Sequence, residues 1–348
     1  MKKFLAYELK NRLWTILIFV LICTLPYIMM TATTTMFYEW TYESEYGGME
    51  TIRNIYSPGT WMIYIELLAL CFVSPAMSYA FKTSKRSVDC YYALPLKKEK
   101  LYFIKTLVGL CMVLIPFTVA YWSGFLALWL RPENPYEMGW YVPHYFGLVF
   151  FGIMLYGLNA FTFTRANTVG DGVVFMLAYQ FLIFLVALYG VLLTGMEAAS
   201  WGIIEFTMPF MGSANFTFNM EQLMMGDGGY EWCVWMFLFP ALYGVIGYTL
   251  LFALLRYEKG ENAEQVSSSW FGYKTLIPIY TAVAIGLIGT LGGDTGIGAI
   301  LFCLFAAASL IANIVYRRKF RFSGKHWLAY GIGLSAGLIL AVLLASVY

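Results

Sequence analysis

Apolar residues in this chain fall in long unbroken runs, with polar residues gathered in the short stretches between them. Runs of about 18 or more apolar residues match the length a helix needs to cross a bilayer. Nine such spans are predicted, at 13–33, 61–81, 106–130, 144–164, 173–195, 233–255, 275–293, 298–316 and 327–347. The first six form one set. The last three read as a helical hairpin, joined through Gly292-Gly293-Asp294-Thr295-Gly296, followed by one more span. The expected fold class is an all-α polytopic membrane protein, with a six-span core over 13–255, a linker over 256–274 and three additional C-terminal transmembrane helices over 275–348.

The polar segments set the orientation, because lysine and arginine are retained on the cytoplasmic side. With a cytoplasmic N-terminus, all 22 basic residues except Arg53 and Arg131 fall inside. The loop over 82–105 alone carries Lys82, Lys85, Arg86, Lys97, Lys98, Lys100 and Lys105. Before the first span, Leu5, Leu9 and Leu13 recur at helical spacing, with Lys3, Lys10 and Arg12 on the other side. That pattern predicts a short interfacial helix over 1–12, the alternative being a basic tail that only sets orientation. The run from Leu13 to Met30 exceeds a signal-peptide core and is expected to stay as a span.

Composition narrows the classes further. The 348 residues are 60% hydrophobic and 12% charged, with a mean hydropathy of +0.68. A soluble domain carries about 25% charged residues, so a soluble enzyme is excluded. Basic and acidic residues number 22 and 20, leaving no basic domain for nucleic acid. Six cysteines occur, and only Cys90 lies in a predicted loop; without a C-x-x-C pair they suggest neither a disulfide framework nor a zinc site.

A phosphate-binding loop needs G-x-x-x-x-G-K-[ST]. The nearest stretch, Gly324-Lys325-His326, has Lys319 at the first glycine position and a histidine where the hydroxyl belongs. No ATPase is therefore expected on this chain. The two histidines, His144 and His326, are predicted on opposite sides of the membrane. Inside the spans Glu66 is the clear ionisable residue, read either as a hydrogen-bonded structural group or as part of a translocation path. Asp171, in Gly170-Asp171-Gly172, reads as the N-cap of the fifth span. So few buried charges argue against a proton-driven secondary transporter.

The most informative loop is 82–100. A helix over 87–94 would end at Pro95, since the residue before proline avoids helical geometry. A second helix would start over 97–105 and lead into the third span. Val88, Tyr91 and Tyr92 recur at i, i+3 and i+4, giving an aromatic face beside Asp89. Such a helix inserts into a groove on another protein or packs on lipid headgroups; composition leaves both open.

The run from Ser84 to Leu101, Ser-Lys-Arg-Ser-Val-Asp-x-Tyr-x-x-Leu-Pro-Leu-x-x-x-x-Leu, resembles the loop after the second span in ABC-2-type transporter permeases of Gram-positive bacteria. The layout is similar too, with an N-terminal interfacial helix, a six-span core and a long outer excursion between spans five and six, here 196–232. The stretch from Arg256 to Ala263 resembles the linker after span six in one branch of that family. The resemblance covers roughly residues 1–265; the three C-terminal spans depart from the six-span plan.

The resemblance implies a coupling helix that docks on a cytoplasmic ABC ATPase through Lys85, Arg86, Val88, Asp89, Tyr91, Tyr92, Leu94 and Pro95. ATP and Mg would sit on that ATPase, with no cofactor on this chain. A second permease subunit, identical or related, would complete a path for peptides or other amphiphiles out through the bacterial plasma membrane. The excursion 196–232 would be re-entrant and cap the path. The implied function is the permease subunit of a peptide exporter, with drug or lipid efflux and a non-transporting sensor of a peptide-resistance system as rivals. Acids dominate the outer loops, Glu197, Glu205, Glu221, Asp227 and Glu231 in the excursion among them. They form a rim for cationic cargo or simply mirror the topology bias. In the last span Gly333 and Gly337 permit close helix approach, within the subunit or at a dimer seam.

Overall fold

The structure, a computed structural model, describes residues 2–33, 36–43, 49–56, 58–130, 137–194, 208–224, 235–258, 260–267, 269–291, 295–317 and 324–346. Each expected span is a helix. The first five are α1 (Lys2–Thr33), α2 (Pro58–Tyr79), α4 (Lys98–Trp129), α5 (Tyr141–Thr164) and α6 (Val169–Thr194). The others are α8 (Trp235–Ala253), α9 (Tyr273–Gly286, continued by a 3-10 turn over Leu287–Leu291), α10 (Thr295–Arg317) and α11 (Gly324–Ala345). Among the described residues nine helices are long and apolar enough to cross a membrane, so the chain is a polytopic helical membrane protein. Two shorter helices are α3 (Lys85–Tyr92), after a 3-10 turn over Ala80–Thr83, and α7 (Pro209–Met224). Prolines inside α1, α2, α4, α8 and α9 are accommodated as membrane helices allow.

One element lies outside the helical expectation. Between α1 and α2, β1 (Met36–Glu43) and β2 (Met49–Tyr56) pair antiparallel, with Met36 opposite Tyr56 and Glu43 opposite Met49. Phe37, Tyr38, Trp40, Thr41 and Tyr42, then Thr51, Ile52, Ile55 and Tyr56, are strand-forming types. A scan for long apolar runs does not register segments this short.

The chain divides into two compact units. The first comprises Met1–Ser78, Leu96–Ala160 and Phe210–Leu255; the second Tyr79–Pro95, Phe161–Pro209 and Arg256–Tyr348.

In the first unit α1 packs along α4. Ile16, Ile104, Val108 and Met112 form a buried cluster, against which Leu5 and Leu9 also pack. Glu8 and Lys105 join the two helices at 2.8 Å, and Arg12 Nη2 donates to Met77 O at 3.0 Å. The separate interfacial helix expected over 1–12 is instead the first turns of α1, continuous with the first span. Its leucines pack on α4, and its acid finds a buried lysine there. Further along, Ser74 Oγ donates to Gly109 O at 2.7 Å, and Asn159 Nδ2 to Cys71 O at 3.0 Å. These bonds satisfy buried polar groups between helices that lipid would leave unpaired.

In the second unit α9 packs on α11. A Cβ at Gly337 would lie 2.7 Å from Ile285 Cβ, and one at Gly333 would lie 3.2 Å from Pro278 O. The glycine pair therefore serves packing within the chain. Tyr189, Val283 and Leu344 form the buried cluster that joins α6 to these helices.

Candidate functional site

Residue 84 is extended and its serine side chain caps nothing, after which α3 runs over Lys85–Tyr92. Ala93 N donates to Asp89 O at 3.0 Å, Leu94 closes a tighter turn on Tyr91 O, and Pro95 prevents continuation. A new helix opens directly, with Lys97 extended ahead of α4. The expected helix thus exists, displaced about half a turn toward the N-terminus.

Its faces differ. Val88 is 2% exposed. The Tyr91 ring lies 4.8 Å from that of Phe81, in the turn just before. A Cβ at Gly260 would meet Val88 Cγ1 at 2.7 Å and the Tyr92 ring at 3.2 Å, so only glycine lets the 260–262 turn lie this close. The aromatic face expected to enter another protein's groove is therefore seated on this chain itself: Val88 and Tyr92 on the linker at Gly260, and Tyr91 on Phe81. Burying them here is favourable for the same reason it would be in a partner, since apolar area leaves water either way. Lys85, Arg86, Asp89, Cys90 and Pro95 are exposed, and Leu94 is half-buried. Beyond Pro95, Lys97, Lys98, Glu99 and Lys100 are exposed as well.

The root of α3 is anchored by charge. Glu258 Oε1 lies 2.9 Å from Lys82 Nζ and also pairs with Arg165 Nη2. Lys82 Nζ additionally donates to Thr164 O. The three side chains are 11%, 6% and 5% exposed for Lys82, Arg165 and Glu258. Charges this deep persist only when paired and hydrogen-bonded. The N-terminus of α3 is closed from the same linker, where Lys85 N donates to Glu264 Oε1 at 3.2 Å. A carboxylate there supplies the cap Ser84 does not, and opposes the helix dipole. Glu264 itself has φ 66, the left-handed region that side chains other than glycine rarely enter. Its backbone N donates to Asn167 O at 3.1 Å. Three loops that the positive-inside pattern assigns to one side thus meet at a single cluster.

Sequence reasoning missed Arg165 and Glu258. A usable signal was present: Arg165 is a lone cation following an apolar helix, which calls for a counter-ion. Asp171 is not the N-cap of the fifth span. That role falls to Thr168, whose Oγ1 accepts from Asp171 N at 3.2 Å, while Asp171 accepts from Tyr273 OH at 2.8 Å.

Glu66 lies two turns into α2 and is 8% exposed. Neither carboxylate oxygen has a hydrogen-bond partner among the described residues. It shares a buried face of α2 with Ile63 and Leu70. In the same unit Tyr64 OH donates to Phe210 O at the start of α7 at 2.5 Å. His144, fully buried, lies 3.0 Å by Nδ1 from the Tyr121 hydroxyl, which donates to Tyr141 O. Glu221 on α7 is buried, so it belongs to no exposed acidic rim. Glu197, Glu205, Asp227 and Glu231 lie outside the described residues, as do 196–207 and 225–232 of the excursion. Among the described residues no cluster of histidine, cysteine and acid has metal-ligand grouping, and the described cysteines are free.

No family model matches this chain, and neither a curated protein nor a solved structure does.

Proposed function

We propose that the chain is the membrane subunit of an ATP-driven exporter of peptides or related amphiphiles, working with a cytoplasmic ABC ATPase. The observation that carries the reading is the two-sidedness of α3. One face is fastened to the chain itself, through Val88, Tyr91 and Tyr92. The other offers Lys85, Arg86 and Asp89. A short rigid helix between two spans, charged outward and anchored inward, suits the transfer of movement from a soluble partner. The resemblance of Ser84 to Leu101 to the ABC-2 coupling loop supports the same partner.

In this reading the ATPase binds ATP and Mg, and its closure moves the 84–100 segment. The spans then shift from inward-open to outward-open, and hydrolysis resets them. ATP acts by binding one state more tightly than the other, which is all a population shift requires. A second permease subunit faces the first across the path. Glu66, a buried acid in a span, is the group assigned to the path.

The test is co-purification with the ATPase from membranes. The native chain is expected to carry the ATPase through two purification steps. Asp89→Lys combined with Arg86→Glu is expected to weaken the association by about tenfold or more, as reversing charges at an interface does. Lys10→Glu, on a different segment, is expected to leave it intact. A native chain that always isolates alone would remove the exporter reading.

A further inference from the structure

Glu258, Gly260 and Glu264 touch α3 or the turn that leads into it, and the same short stretch leads into the three C-terminal spans. Glu258 pairs with Lys82, Gly260 admits Val88, and Glu264 caps Lys85. The linker is in turn tied to its own unit. Arg165 binds Glu258, Ser267 Oγ donates to Arg165 O at 2.7 Å, and Tyr316 OH of α10 donates to Ser267 O at 3.0 Å. Tyr179 OH of α6 donates to Phe271 O at 3.1 Å, and Tyr273 OH of α9 to Asp171.

Burying one carboxylate between two cations is a poor way to gain stability, because desolvation offsets most of the attraction. What such a cluster does well is fix geometry, since each cation has one place where its charge is met. The strained backbone of Glu264 points the same way: a left-handed glutamate is tolerated where its carboxylate and its N–H are both in use.

We infer that the 258–264 linker is a latch that makes α3 and the C-terminal spans respond as one body, with Glu258 as its positioning residue. The inference rests on the exporter reading for its purpose. It adds that the three spans beyond the six-span core belong to the coupling path. Any push received on Lys85, Arg86 and Asp89 reaches α6, α9 and α10 through Glu258, Glu264 and the turn at Arg165.

Amide hydrogen exchange over 85–92 in the full chain reads the latch directly, whether or not an ATPase is present. Glu258→Gln is expected to raise exchange there by about tenfold or more, as local opening of a freed segment does. Gly260→Val perturbs the same seat without touching a charge and is expected to raise exchange a few-fold, which covers the case of a Glu258 variant that fails to accumulate. Exchange equal to native in Glu258→Gln or in Gly260→Val would overturn the latch. With the ATPase bound, the ratio of cargo-stimulated to basal hydrolysis is expected to fall toward one in Glu258→Gln; an unchanged ratio contradicts the positioning role. A native chain that binds no ATPase yet shows the exchange pattern would sink the exporter reading and leave the latch standing.

Discussion

Glu8 and Lys105 in the first unit, and Lys82, Arg165 and Glu258 in the second, are charges withdrawn from solvent in a chain that carries only 12% charged residues. The first pair is balanced and nearly sealed, at 1% and 2% exposure, and sits between two long helices already held by Ile16, Ile104, Val108 and Met112. The second cluster carries two cations on one acid and joins a turn, a loop and a linker that are far apart in sequence. Where packing fixes position, an ion pair is replaceable. Where loops must be registered against one another, it is the means of doing so. The difference separates a joint that holds from a joint that sets geometry.

The comparison can be broken in several ways, beginning with the most damaging. Glu258→Leu strands Lys82 and Arg165 together, and removing one partner of a buried pair costs about 3–5 kcal/mol. A loss at or above the top of that range is expected, read as thermal unfolding in detergent. Glu8→Leu strands one cation and is expected to cost about 3–5 kcal/mol by the same argument. The double variant Glu8→Leu with Lys105→Met is expected to recover to within about 1 kcal/mol of native, because apolar replacement of a packed ion pair is close to neutral. If the double variant is no better than the single, the first cluster also sets geometry and the contrast fails. Gly337→Leu, whose Cβ would meet Ile285 at 2.7 Å, is expected to cost about 1–3 kcal/mol by overpacking α9 against α11. Glu264→Gln removes only the cap charge on α3. It is expected to cost about 0.3–1 kcal/mol, seen as faster exchange confined to the first turn of 85–92.

Much of the fold was legible because a bilayer imposes a length. Each run of apolar residues became a helix, and helices run past the apolar stretch where polar residues such as Lys98 join the first turn. Pro95 was legible as a stop because its constraint is local. The β1–β2 hairpin was not, since its apolar stretches are far shorter than a span. The seat of α3 was not legible either. Val88 shows an apolar face, but only the fold says that Gly260 leaves room for it. Glu258 lies 176 residues from Lys82 and 93 from Arg165. No helical or strand period links positions so far apart, and only the shared side assigned to their loops hinted that they could meet. Asp171 misled for a related reason: a glycine-flanked acid resembles a cap, whereas Thr168, one place before α6, has the geometry.

The central claim is that α3 passes ATP-driven movement to this chain. The most direct measurement is ATP hydrolysis by the chain and its ATPase reconstituted in vesicles, titrated with a cationic amphipathic peptide. The account predicts hydrolysis that rises with peptide for the native complex and stays flat when Asp89→Lys and Arg86→Glu are combined. Peptide stimulation that is the same in both, or absent from the native complex across peptide and lipid-like amphiphiles alike, would contradict it.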